Sequence, residues 1–312
     1  MKVIGAADVG GTTLKLALFQ EGGTLIKKWS VKTPDKEEAD TLWQVMADSF
    51  TEQLSESGIS AKDLKAVGMG LPGPICDNGF LPKMVNLGMG ASYPAKELSA
   101  LLHIPCAAGN DANVAALGEA KYGSAKGYQN VVMLTLGTGV GGGVIVDGKI
   151  VAGGHGVGGE VGHFVVNPFE TETCNCGNKG CLEQYASATG MVRLAKQAMT
   201  TRMTSSLRTY EELTAKDICE EAAKGDGMAL QVIDAFSRFL AIAVSHLILT
   251  VDPDAVVIGG GVSAAGDLIL DPVRKYTDAF THIADSHGEI LQATLGNDAG
   301  IYGAEALAEA LL

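Results

Sequence analysis

The chain has 312 residues, 46% apolar and 19% charged, which excludes a disordered chain and leaves room for two cores. A formal net charge of −13 argues against a broad nucleic-acid surface, because neutralising phosphates takes an excess of Lys and Arg. The 41 glycines fall in clusters without a repeat, so they mark loops and not a fibre.

Apolar, β-rich residues 3–9 predict a strand, Gly10-Gly11 a tight turn, and alternating residues 13–19 a second strand. Residues 24–32 predict a third. Leu42, Val45, Met46, Phe50 and Leu54 recur at helical spacing and predict a helix over 36–57, stopped by Gly58. A strand over 64–71 and a turn at Asp77-Asn78-Gly79 follow, then a helix over 94–102, a strand over 104–108 and a helix over 112–122. The pattern then restarts: strand 130–136, turn Gly137-Thr138-Gly139, strand 140–146, and a turn at Asp147-Gly148 into a short third strand. After a glycine-rich loop and a cysteine cluster, helices are predicted over 189–200, 210–223 and 228–249. A strand over 255–258 runs into Gly259-Gly260-Gly261, and a strand over 290–295 and a helix over 299–311 close the chain.

The two halves open alike, which predicts an α/β protein of two lobes with a cleft between them, where small ligands usually bind. The expected division is 1–110 with the closing helix 298–312 for a small lobe, and 111–297 for a larger one. The longest apolar stretch, 239–251, is interrupted by Ser245 and His246 and falls short of the roughly 20 residues that span a bilayer. The first strand starts within a few residues of Met1, leaving no room for an export signal or a DNA-binding head. The expectation is a soluble, cytoplasmic protein with no membrane or nucleic-acid partner.

Five motifs carry chemistry. In Asp8-Val9-Gly10-Gly11-Thr12-Thr13, bare backbone amides and Thr hydroxyls can cradle phosphate oxygens and Asp8 can hold Mg²⁺; a plain hairpin turn explains the same residues. Leu136-Gly137-Thr138-Gly139 repeats that turn in the second half; it is not a P-loop, since no Gly-Lys-Ser/Thr follows, nor a dinucleotide fingerprint, since it joins two strands and not a strand to a helix. Gly109-Asn110-Asp111 lies where a strand meets a helix; on position alone a helix cap is the first reading of Asp111. Gly259-Gly260-Gly261 either lets a nucleotide lie against backbone or is an ordinary strand-to-helix turn.

The fifth motif is the most specific. His163 with Cys174, Cys176 and Cys181 is a complete four-ligand zinc set with no open position, hence a structural site. Closing that loop draws Glu160 and Glu183 together, where carboxylates can accept hydrogen bonds from a polyol. The other three cysteines, Cys76, Cys106 and Cys219, read as small buried hydrophobes.

Together these residues resemble the ROK family of sugar kinases and repressors. The Asp8 turn, Leu71-Pro72-Gly73-Pro74, Gly109-Asn110-Asp111, Leu136-Gly137-Thr138-Gly139, Glu160-Val161-Gly162-His163, the Cys174–Glu183 run and Gly259-Gly260-Gly261 occur in the family's order. The resemblance is strongest to the bacterial glucokinases of the family. It implies an actin/hexokinase-like fold of two RNase H-like lobes, a homodimer, and an ATP-dependent hexose kinase with Asp111 as catalytic base. It also implies that Asn86, Asn110, Asp111, Glu160, His163 and Glu183 hold the sugar, with His163 binding zinc through its other ring nitrogen. Asp8, Gly10, Gly11, Thr12, Thr13, Gly137, Thr138, Gly139, Gly260 and Gly261 would handle Mg-ATP. One departure stands out: family glucokinases often carry a Trp shortly after the pair matching Asn86-Leu87, whereas Gly88-Met89-Gly90 follows here. An N-acetylhexosamine kinase, another hexose kinase, a non-catalytic sugar sensor and an actin-like ATPase are the competing readings.

Overall fold

The computed structural model describes residues 2–201, 203–283 and 287–312. The chain divides into two compact units, the first Met1–Gln129, Gly143–Gly159 and Asn297–Leu312, the second Asn130–Gly142 and Glu160–Gly296.

In the first unit β1 (Val3–Val9), β2 (Thr13–Gln20) and β3 (Thr24–Lys32) form an antiparallel meander. A 3₁₀ stretch over Lys36–Thr41 precedes α1 (Leu42–Glu56). The single helix expected from residue 36 is therefore split, because Glu38 leaves helical geometry at φ −117° and ψ 18°. Then come β4 (Leu64–Leu71), α2 (Pro94–Leu102), β5 (Cys106–Asn110) and α3 (Asp111–Tyr122). The sheet order is β3-β2-β1-β4-β5, with β1, β4 and β5 parallel. Successive residues of a strand face opposite sides. Val3, Ala7 and Val9 thus pack with Met46 and Phe50 of α1, while Ala6 packs on the other face with Phe19 and Val114.

β6 (Val131–Leu136) opens the second unit, and β7 (Val140–Val146) leaves it again after Gly142, followed by β8 (Lys149–Ile150). After the cysteine loop come α4 (Glu183–Ala186), α5 (Ala188–Ala198), α6 (Ala215–Ala223), α7 (Gly227–Val251), β9 (Ala255–Gly259), α8 (Asp267–Phe280) and β10 (Glu289–Gln292). The second sheet has the order β10-β9-β6-β7-β8, with β10, β9 and β6 parallel. α6 starts at residue 215 and not at 210, because Thr214 and Asp217 form a reciprocal capping box. α7 is the one described helix long and apolar enough to cross a membrane by length and composition; 61% of its most apolar window is buried inside the protein. No helix is expected from the sequence over α8. Pro272 lies inside it and reads as a break, yet Ile269, Leu270, Val273 and Thr277 bury one helical face.

The chain returns to the first unit as α9 (Ala299–Glu309). α3 and α9 meet backbone to backbone: a Cβ on Gly303 would lie 1.7 Å from the Val114 carbonyl oxygen, and one on Gly118 2.3 Å from that of Ala299. This close packing places α3 in the first unit, whereas the sequence division ended the small lobe at residue 110.

Candidate active site and metal-donor cluster

The parallel register fixes the functional edge of the first unit. Asp8 pairs with Gly70, and Gly70 with Gly109, so the carboxyl ends of β1, β4 and β5 finish level with one another. Ligands of open α/β sheets bind outside such carboxyl ends. Beyond β1 the turn is closed by the Gly10 N–H on the Thr13 carbonyl at 3.0 Å and held by the Thr33 hydroxyl on the Gly10 carbonyl at 2.8 Å. Gly11, Thr12 and Thr13 are exposed. Asp8 accepts from Lys15 Nζ at 3.2 Å, and Lys15 also donates to the Asn297 carbonyl at 3.1 Å.

The helix cap at the end of β5 is Asn110, not Asp111. Asn110 Oδ1 accepts the N–H groups of Ala112 and Asn113 at 3.0 and 3.2 Å, and its Nδ2 donates to the Gly73 carbonyl at 3.2 Å. Asp111 is the first residue of α3, half-buried, with Oδ1 accepting the Ala112 N–H at 2.8 Å. Position alone had suggested capping for Asp111; the neighbouring amide already fills that role. Asn86 lies exposed in the 3₁₀ turn Val85–Leu87.

In the second unit the matching edge is the carboxyl end of β6 and β9, where Thr135 pairs with Gly259. Gly137 and Gly139 close the turn at 3.0 Å. Gly260 has φ +83°, and a Cβ there would strike the Leu136 backbone at 2.5 Å. Beside these turns lies a cavity of about 710 Å³ lined by Gly137, Thr138, Thr214, Cys219, Gly261 and Leu268, among others. Of its two helical walls, α6 lies within the helix expected over 210–223, whereas α8 has no counterpart among the expected elements. Cys219, read as a buried hydrophobe, is half-buried and lines this cavity, and burial pushes its thiol up to about 11.

His163, Cys174, Cys176 and Cys181 converge, with their ligand atoms all within 4.8 Å of one another. Cys176 Sγ is 3.6 Å from Cys181 Sγ, and Cys174 Sγ is 4.0 Å from His163 Nδ1. Metal–sulfur bonds of about 2.3 Å at tetrahedral corners separate sulfurs by roughly 3.8 Å, so the donor set fits a four-coordinate ion. Burial pushes the Cys181 thiol up to about 12 and also raises Cys174, while the Asn178 backbone N–H lowers Cys176. The second ring nitrogen of His163, Nε2, points the other way and lies 3.9 Å from Glu160 Oε2. Glu183 Oε1 is 3.7 Å from Cys174 Sγ, and its Oε2 accepts the Val140 N–H at 3.1 Å. Glu160, His163 and Glu183 therefore border the donor set.

The sheet orders, the paired glycine turns and the strand-end carboxylates define a protein of the actin/hexokinase-like fold. The ROK family model matches residues 4–310, and the chain belongs to that family. It is 41% identical over 304 residues to a glucokinase of Halalkalibacterium halodurans, covering 95% of this chain and 92% of that one. Among solved structures, the ROK hexokinase of Thermus thermophilus superposes with a TM-score of 0.81 at 29% identity, covering 99% and 98% of the two chains. A ROK glucokinase of Streptomyces griseus in complex with glucose and AMPPNP superposes with a TM-score of 0.75 at 31% identity, covering 99% of each chain.

Proposed function

We propose that the chain is an ATP-dependent hexose kinase that phosphorylates the C6 hydroxyl of glucose. The observation that carries this reading is the strand register that levels Asp8 with Gly109, so that Asp8 and Asp111 leave one sheet edge while Asn110 takes the capping role. The likeness to glucokinases along nearly the whole chain supports glucose as the hexose.

In this reading Asp111 accepts the proton of the sugar hydroxyl as its oxygen bonds to the γ-phosphorus and the bond to ADP breaks. Phosphoryl transfer is chiefly positioning and charge stabilisation, so few catalytic groups are required. Asn86, Asn110, Glu160, His163 and Glu183 orient the sugar through its hydroxyls. The amides of the Gly10–Thr13 and Gly137–Gly139 turns cradle the phosphates, and Gly260 and Gly261 lie against the nucleoside. Asp8 holds Mg²⁺, which supplies charge neutralisation at the phosphates; a single carboxylate suits an ion that keeps most of its waters. His163 Nδ1, Cys174, Cys176 and Cys181 hold zinc, which supplies structural bracing, and His163 Nε2 faces the sugar. None of the six cysteines is disulfide-bonded, which suits a cytoplasmic setting. The working form is a homodimer, which light scattering during size-exclusion chromatography checks.

The decisive experiment is an ADP-release assay with Mg²⁺ and ATP across glucose, mannose, fructose, allose, N-acetylglucosamine and N-acetylmannosamine. Glucose is expected to give the highest kcat/KM. Preference for an N-acetylated sugar, or ATP turnover independent of sugar, would overturn the reading.

A further inference from the structure

One charged cluster in the second unit belongs to no sequence motif. Arg193, on α5, donates from Nη2 to Glu170 Oε2 at 2.6 Å, from Nε to Glu172 Oε2 at 2.8 Å and from Nη1 to the Gln184 carbonyl at 3.4 Å. Glu170 is only 9% exposed and also accepts the Tyr185 hydroxyl. Asn167 Nδ2 donates to that hydroxyl at 2.8 Å, and the Tyr185 ring stacks on Phe239 of α7 with centroids 4.0 Å apart. Gln184 Oε1 accepts the N–H groups of Gly180 and Cys181 at 2.8 and 3.1 Å, and its Nε2 donates to the Glu172 carbonyl at 3.0 Å.

The cluster grips the cysteine run at both ends. Glu170 and Glu172 precede Cys174, while Gln184 and Tyr185 follow Cys181. The same stretch of chain holds the glycine turn. At the start of α5 the Ala188 N–H donates to the Gly137 carbonyl and Thr189 Oγ1 to the Thr138 carbonyl, each at 2.8 Å. α5, which starts after the extended Ser187, thus holds the donor loop through Arg193 and the β6–β7 turn through its first residues Ala188 and Thr189.

We propose that Arg193 is a positioning residue that pins the metal-donor loop to α5 and through that helix sets the Gly137–Gly139 turn for the nucleotide. The proposal rests on the zinc and phosphate roles assigned above. Its physical basis is that a mostly buried Arg–Glu pair with hydrogen bonds on every side holds one geometry, whereas removing the cation leaves a buried carboxylate that must seek water. Burial alone would raise Glu170; the hydrogen bonds from Tyr185, the Glu172 backbone and Arg193 outweigh it and hold the carboxyl at about 2. The loop is therefore built in its metal-ready shape by the protein itself.

The test uses zinc-loaded protein and two readouts, the rate of zinc transfer to a colorimetric chelator and the KM for ATP. Arg193→Ala is expected to lose zinc about 10-fold faster or more, the scale typical of groups that orient metal ligands. Its KM for ATP should rise about three- to tenfold, within the range of coupling energies through packed elements. Arg193→Lys, which keeps a cation for Glu170 but not the fork to Glu172, should recover part of both. A purely structural role would lower the melting temperature and leave zinc release and KM for ATP at wild-type values, and that result would overturn the proposal. If Arg193→Ala does not fold, Tyr185→Phe removes only the hydroxyl on Glu170; faster zinc release supports the proposal and an unchanged rate sinks it. A wild-type protein that holds no zinc would remove the metal role, and the KM for ATP would then decide Arg193 alone.

Discussion

Glu183 and Val140 are joined by a 3.1 Å hydrogen bond from the Val140 N–H to Glu183 Oε2. The acid two residues after Cys181 is thereby tied to the strand that leaves the second glycine turn. A carboxylate used by the protein in this way is oriented before any ligand arrives, which lowers the entropy lost on binding.

That bond explains why residue 139 is glycine. A Cβ there would lie 2.0 Å from Glu183 Oε2, the far end of a flexible side chain. Gly139→Ala should therefore fold with little loss of stability and push Glu183 off its mark. The expected result is a KM for glucose raised about tenfold, the value of roughly 1.4 kcal/mol of lost binding, with the melting temperature within a few degrees of wild type. An unchanged KM would remove Glu183 from the sugar contacts.

Asp111→Ala should keep its fold, because Asn110 supplies the cap of α3. Its kcat is expected to fall by about 10² to 10⁴, the usual contribution of a positioned proton acceptor, while glucose binding measured by calorimetry persists. Near-normal turnover would end the role assigned to this carboxylate.

Cys176→Ala should release the metal and weaken the sugar site, since Glu160, His163 and Glu183 border the donor set. Metal analysis of the purified variant should give no zinc, and the KM for glucose should rise more than the KM for ATP. Unaltered glucose affinity in zinc-free protein would show that the ion does not brace the pocket.

Acid should destabilise the second unit through two carboxylates, Glu221 on α6 and Asp226 at the N-cap of α7. Burial pushes Asp226 up, but the N–H groups of Ala229 and Ser206 and the hydroxyls of Ser205 and Ser206 outweigh it and hold it at about 2, against an ordinary 3.8. Lys224, Ser206 and Tyr210 hold Glu221 at about 2, against 4.5. Both folded values lie below the unfolded ones, so this stability is complete above pH 4.5 and drains away as pH falls toward 2. Melting temperatures between pH 6 and pH 3 should drop over that window. Asp226→Asn, which keeps a capping oxygen but cannot titrate, should flatten the drop; an identical slope would exclude Asp226 as its source.

Much of this molecule is legible in its sequence because the signals are local. The strand–turn–strand openings at Val3–Gln20 and Val131–Val146 show in alternation and in Gly-Thr pairs, and both turns form where the spacing puts them. The convergence of His163, Cys174, Cys176 and Cys181 was legible because they lie so close in sequence that the loop needs only short-range folding to gather them. The start of α6 was missed although its signal, Thr214 three residues before Asp217, was present. α8 failed for a different reason: a proline inside a helix is decided by tertiary burial, not by propensity.

The sequence by itself determined most of the elements, the candidate donor set and the list of residues that could bind phosphate and polyol, because each depends on chemistry carried within a few residues. Only the tertiary structure decided which of Asn110 and Asp111 is the cap, that α3 packs with α9, and that α6 and α8 wall the cavity beside Gly137. Those outcomes depend on residues as far apart in sequence as Val114 and Gly303 competing for the same hydrogen bonds and the same space, and no local pattern records who wins.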